Sequence, residues 1–136
     1  MTDRRAILAA NDAFYKAFQA RDMKAMTGIW SETAEVTCIH PGWRPLFGRT
    51  AVLGSWAAIL AGREAPSIAC VRPEVSVLGD TGYVLCYEVL EAVFLVATNI
   101  FVREKEAWRL VHHQAGAAPS PVAASDQAQG GPPTVQ

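Results

Sequence analysis

The chain holds three histidines, His40, His112 and His113, and imidazole is the side chain best suited to proton transfer near neutral pH. Two of them fall in the stretch Val96 to Gly116, VATNIFVREKEAWRLVHHQAG, where two β-prone runs flank the charged tip Glu104-Lys105-Glu106. Hairpin pairing across that tip sets Arg103 opposite Trp108, Phe101 opposite Leu110, Asn99 opposite His112 and Thr98 opposite His113. Alternation along a strand then puts Asn99, Phe101, Trp108, Leu110, His112 and Gln114 on one face. Thr98, Ile100, Val102, Arg109, Val111 and His113 fall on the other. The first face mixes large apolar groups with polar ones at one end, as a small-molecule pocket does. His112 is thus a candidate general base, with Asn99 orienting the ring or donating to a developing oxyanion. A hydrogen-bonded structural histidine at the sheet centre explains the same pattern. His113 is expected at an interface, and the adjacent pair cannot chelate one metal from a regular strand.

His40 ends a short strand from Glu35, on one face with Val36 and Cys38, and is the second candidate base. Cys38 and His40 are not read as a nucleophile and base, because same-face neighbours point in parallel and no third group orients the imidazole. Trp43 is held at the apex of the Pro41-Gly42-Trp43-Arg44-Pro45 loop, where it either walls the pocket or anchors the loop. Glu88, in the apolar strand VLCYEVLE, is either an acid or base in the pocket, or faces outward or pairs with Arg72 or Arg109. Tyr83 and Tyr87 occupy the face opposite to it, and the sequence leaves open which set lines the pocket. Nucleophile-elbow, phosphate-loop and zinc signatures are missing, so neither a metal nor a cofactor is expected. The expected ligand set is His40, Trp43, Trp56, Asn99, His112 and Gln114, around a small apolar molecule.

The elements that must hold these residues follow from periodicity. Thr2 or Asp3 caps a first helix with Ile7, Ala10, Phe14, Ala17 and Phe18 on one stripe, ending near Arg21. Asp22 caps a second, short helix with Met23, Met26 and Trp30 on one side. Gly48-Arg49-Thr50 opens a third, in which Val52, Trp56, Ile59 and Leu60 share a face and Gly62 stops it. From Ser67 the period becomes two, giving runs from Ile68 to Leu78 and Tyr83 to Glu91 around the turn Gly79-Asp80-Thr81-Gly82. Pro73 marks a bulge or an edge strand. The 136 residues suit one domain over 1–118, followed by an Ala/Pro/Gly/Ser/Gln-rich flexible tail over 119–136. A formal net charge of -1 without charge blocks argues against a nucleic-acid partner. No apolar run is long enough to span a bilayer, and three cysteines without paired spacing read as buried thiols of a cytoplasmic protein.

Helices first, then a strand, a helix and a run of long strands, make an α+β fold with a curved antiparallel sheet. In that order the strand ending at His40, the loop HPGW, the segment GRTAVLGSW and the closing ATNIFVREKEAWRLVHHQAG resemble the SnoaL-like branch of the nuclear transport factor 2-like (ketosteroid isomerase-like, cystatin-like fold) superfamily. The resemblance covers roughly residues 4 to 118. It implies a strongly curved sheet wrapped around three helices of the N-terminal half, a cone with an open pocket, and a convex face packed on a second subunit. The apolar residues Ile100, Val102 and Val111 point to the same homodimer, since too few helices are present to cover both sheet faces. Isomerases, dehydratases, polyketide cyclases and epoxide hydrolases of the superfamily place a carboxylate or histidine base in the cone. This chain lacks the Tyr-plus-Asp arrangement of the isomerases, so no single reaction carries over. The segment Trp108 to Ser120 also resembles the last strand of the calcium/calmodulin-dependent kinase association domain, which assembles subunits. Ligand binding, cofactor-independent isomerase, dehydratase or cyclase chemistry, and oligomerisation are therefore the expected alternatives.

Overall fold

A computed structural model describes residues 2–62 and 67–121. Helix α1 (Asp3–Ala20) begins where the Thr2 side chain accepts from the Arg5 N–H, and ends at Arg21, left-handed with φ 54°. Asp22 then caps α2 (Met23–Ile29), its carboxylate accepting from the Ala25 N–H at 3.0 Å. Strands β1 (Thr37–Ile39) and β2 (Leu46–Phe47) flank the Trp43 loop; β2 was not expected, being too short to show a period. Gly48 at φ 90° turns the chain into α3 (Arg49–Ala61).

The long strands β3 (Ala69–Leu78), β4 (Thr81–Leu90), β5 (Val93–Glu104) and β6 (Ala107–Ala117) complete a six-stranded sheet in the order β2-β1-β6-β5-β4-β3. These strands pair antiparallel except β1 with β6, and an isolated parallel bridge joins Trp30 to Leu110. The sheet curves without closing, and the three helices pack against one face, the α+β class expected from element order and the cone that the family resemblance implies. Pro73 behaves as expected: β3 is an edge strand, and its register shifts between Val71 and Glu74, with Arg72 at φ 54°.

The concave face carries the core. Ile7, Phe14, Met26, Trp30, Val52, Trp56, Val84, Phe101 and Leu110 are all at most 1% exposed. Each such side chain contributes about 1.5–3 kcal/mol by leaving water. Phe14 meets Tyr15 edge-on at 4.8 Å and Trp56 at 5.4 Å, so α1 and α3 lock over the sheet through aromatic edges. No helix among the described residues is long and apolar enough to cross a membrane. Most of the expected tail, from 122 onward, lies outside the described residues.

The hairpin register needs one correction. Arg103 faces Trp108 and Phe101 faces Leu110 as expected, but β6 then holds one extra residue at Val111. Ile100 therefore pairs with His112, Asn99 with His113 and Thr98 with Gln114. A bulge of this kind reverses the facing of every later residue. His113 and Ala115 turn into the core, while His112 is half-buried on the convex side and Gln114 is exposed.

Candidate functional site

A cavity of about 260 Å³ lies between α1, α3, the Trp43 loop and the sheet. Phe18 from α1, Trp56 and Ile59 from α3, Ile68, Leu90 and Leu95 form apolar walls, and Pro41 and Trp43 stand at the mouth. Its polar groups are His40, Glu88 and His113. No lysine or arginine lines it among the described residues.

Glu88 reaches the cavity because β4 alternates, burying Val84, Cys86 and Glu88 while Tyr83 and Tyr87 face the other way. That settles the orientation left open by sequence. The carboxylate is 2% exposed and pairs with neither Arg72 nor Arg109; it accepts instead from the Tyr15 hydroxyl of α1 at 2.6 Å. Burial raises its pKa to about 7, against a smaller downward pull from that hydrogen bond. Glu88 thus stands at the midpoint between acid and base at neutral pH.

His113 is 2% exposed, and its Nε2 lies 3.8 Å from Glu88 Oε2. Its Nδ1 lies 2.5 Å from Asn99 Oδ1. Asn99, fully buried behind the histidine, spends its amide on Asn11 Oδ1 at 2.9 Å and on the Tyr15 hydroxyl at 3.1 Å. Burial, with His40 and His112 nearby, lowers the His113 pKa to about 3, so the ring is neutral at physiological pH. Cys86 Sγ lies 3.3 Å from the Tyr15 oxygen, and burial together with Glu88 raises the phenol well above its ordinary value.

His40 is 4% exposed and sits at the cavity edge, with its Nε2 2.8 Å from Ser55 Oγ on α3. The Ser55 hydroxyl donates to the Val52 carbonyl at 2.7 Å. Burial lowers the His40 pKa to about 4. Its ring meets Trp43 at 4.7 Å and Trp56 at 4.8 Å, so Trp43 caps the cavity through the histidine. Cys38 Sγ lies 3.6 Å from His40 Nε2, but burial pushes the thiol up to about 12, which leaves no thiolate for nucleophilic chemistry.

Of the residues expected from sequence, His40, Trp43 and Trp56 line one cavity, and Asn99 supports it from behind. His112 and Gln114 do not join them: His112 Nδ1 bonds the Thr37 hydroxyl at 2.6 Å on the convex side. His113 takes the place assigned to His112, and Glu88 and Tyr15 complete the set. One signal of the register was present in the sequence. Unbulged pairing sets Ala97 against the polar Gln114, whereas the bulged strand sets it against Ala115, and both alanines are buried. No group of three or more His, Cys, Asp or Glu among the described residues is arranged to hold a metal ion.

A model of the SnoaL-like domain matches residues 7–120. A solved structure of a candidate dehydratase of the nuclear transport factor 2-like family from Streptomyces avermitilis is 34% identical, covering 87% of this chain and 97% of that one, with a TM-score of 0.79. A candidate calcium/calmodulin-dependent protein kinase type II association domain from Thiobacillus denitrificans is 30% identical, covering 82% and 94% of the two chains, with a TM-score of 0.70. The F-box protein SKIP8 of Arabidopsis thaliana is 27% identical over 112 residues, 80% of this chain. The chain spans about half, 48%, of the length of that curated relative.

Proposed function

The chain belongs to the SnoaL-like domain family, and on that premise we propose that it is a cofactor-independent proton-transfer enzyme, an isomerase or lyase acting on a small, largely apolar molecule held in the cone. The observation that carries this reading is the Glu88 carboxyl, enclosed at the cavity floor 3.8 Å from His113 Nε2. An ionised carboxylate in an apolar enclosure is a strong base towards a proton of the bound molecule. Tyr15 steadies the anion by donating to Oε2, and His113 offers a second polar contact for the group that gains or loses the proton. Apolar walls surround the carboxyl, and with its pKa near 7 against about 3 for His113 it is the stronger proton acceptor of the two. His40, neutral and tied to Ser55, orients the rim; His112 enters this mechanism only as a support of β1.

The candidate dehydratase from Streptomyces avermitilis supports the lyase class. The expected outcome of replacing Glu88 by Gln is a loss of about 100-fold or more in kcat, with KM changed only a few-fold. A dehydration or double-bond isomerisation screen at about pH 8 is the assay, and an Glu88→Gln variant that turns over at the native rate would remove the mechanism.

A second role is favoured by a separate observation. The convex sheet face exposes Leu85 and Val96, each 44% accessible, beside the half-buried Ile100, Val102 and Val111. We infer that a second copy of the chain covers this face, and the association domain from Thiobacillus denitrificans supports assembly. The free thiols Cys38, Cys70 and Cys86 support a reducing, cytoplasmic setting.

A further inference from the structure

We infer that, with Glu88 ionised, the cone selects a neutral molecule through a hydroxyl group, because the two polar atoms facing each other at the cavity floor, Glu88 Oε2 and His113 Nε2, then both accept hydrogen bonds and neither donates. This deepens the proposed proton-transfer reading and rests on it.

Tyr15 has one hydroxyl proton, and its shortest contact, 2.6 Å, is to the Glu88 carboxylate. Having given that proton away, the Tyr15 oxygen can only accept from Asn99, so the Asn99 amide nitrogen must face Tyr15. The same nitrogen reaches Asn11 Oδ1, which uses its second hydrogen. Asn99 Oδ1 is left to face His113 Nδ1 and must accept, so Nδ1 carries the ring proton of the neutral imidazole. Nε2 is then a bare lone pair, 3.8 Å from a carboxylate oxygen. Two acceptors at that spacing, too far apart to bond directly, repel unless a donor is placed between them.

Asn11 and Asn99 are positioning residues in this scheme, since together they fix the tautomer of a ring that the substrate touches. A bound alcohol can donate to one acceptor at a time and be drawn towards both. A ketone offers no proton and sets its oxygen against theirs, and a carboxylate adds like charge to Glu88 in a cavity that no lysine or arginine lines among the described residues. The class selected is a neutral apolar ring carrying a hydroxyl. In a lyase that hydroxyl would leave as water, taking up from Glu88 the proton that the carboxylate has removed from the neighbouring carbon, as the C–H and C–O bonds break and the double bond forms.

The test uses one carbon skeleton with three head groups: 2-tetralol, 2-tetralone and tetralin-2-carboxylate, titrated calorimetrically into the full chain at about pH 8. The alcohol is expected to bind about tenfold or more tighter than either of the others, one buried donor contact being decisive at that level. Glu88→Gln, which places an amide donor at the floor, should bring the ketone to within a few-fold of the alcohol. Nitrogen NMR of the histidine rings should show His113 protonated at Nδ1 in the free protein, an observation that needs no ligand. A ketone or carboxylate binding as tightly as the alcohol, or His113 protonated at Nε2, overturns the inference and leaves the pocket reading standing. Failure of all three compounds to bind at millimolar concentration overturns both.

Discussion

At the scale of single residues, Glu88 and the buried histidines push stability in opposite directions with pH. Glu88 has its folded pKa raised from 4.5 to about 7, so its contribution is fully present below pH 4.5 and is lost as pH rises towards 7. His40 and His113 fall from 6.5 to about 4 and about 3, so theirs is present above pH 6.5 and lost as pH falls. Between pH 4.5 and 6.5 the two histidines outweigh the one carboxyl, and the fold weakens on acidification. Glu88→Gln removes the opposing slope, so its urea midpoint should fall more steeply than the native one across that interval. Equal slopes would mean that Glu88 titrates normally. Tyr15→Phe removes a hydrogen bond that holds the carboxyl down, and the midpoint of the kcat/KM profile should move upward from about 7. His40, Trp43 and Trp56 were legible in the sequence because turn residues and a helical stripe fix their direction. Glu88 was not, since the alternation of β4 offers Glu88 on one face and tyrosines on the other, and only the packing of α1 decides between them.

At the scale of elements, the bulge in β6 determines which histidine the pocket receives. His112 and His113 are chemically identical neighbours, so an extra backbone residue at Val111 swaps their positions without changing any residue type that a pattern could detect. The helices were legible nearly to the residue, because caps at Thr2 and Asp22 and stops at Arg21 and Gly62 are local signals. What joins them was less so. Arg49 at the start of α3 donates to the Thr27, Trp30 and Ser31 carbonyls, binding the unsatisfied end of α2. Arg49→Ala should cost about 2–4 kcal/mol in chemical denaturation, and Arg49→Lys should recover little of it, since one ammonium cannot span three carbonyls. Gly82 lets β4 pass beneath α1, and a Cβ there would lie 2.4 Å from the Ile7 side chain. Gly82→Ala should therefore destabilise by about 1–3 kcal/mol through displacement of Ile7.

At the scale of the whole molecule, the bent sheet divides its two faces between two tasks. The concave side encloses the cavity, and the convex side presents Leu85 and Val96 to solvent in a single chain. Sedimentation should give a dimer at micromolar concentration, and the double substitution Leu85→Arg, Val96→Arg should give a folded monomer, because charges there cannot be buried against a second copy. A native chain that sediments as a monomer would refute that interface. The α+β class and the family resemblance were readable because element order and hydrophobic period survive in the sequence. The cavity was less readable, since its floor joins residues from α1, β4, β5 and β6 that are distant along the chain. Proton transfer at that floor is tested most directly by following the Glu88 side-chain carboxyl carbon by NMR from pH 4 to 9, with Glu88→Gln identifying the signal. A midpoint near 7 is predicted; a midpoint in the ordinary carboxylate range would show that Glu88 is not poised to exchange a proton at neutral pH and would contradict the proposed mechanism.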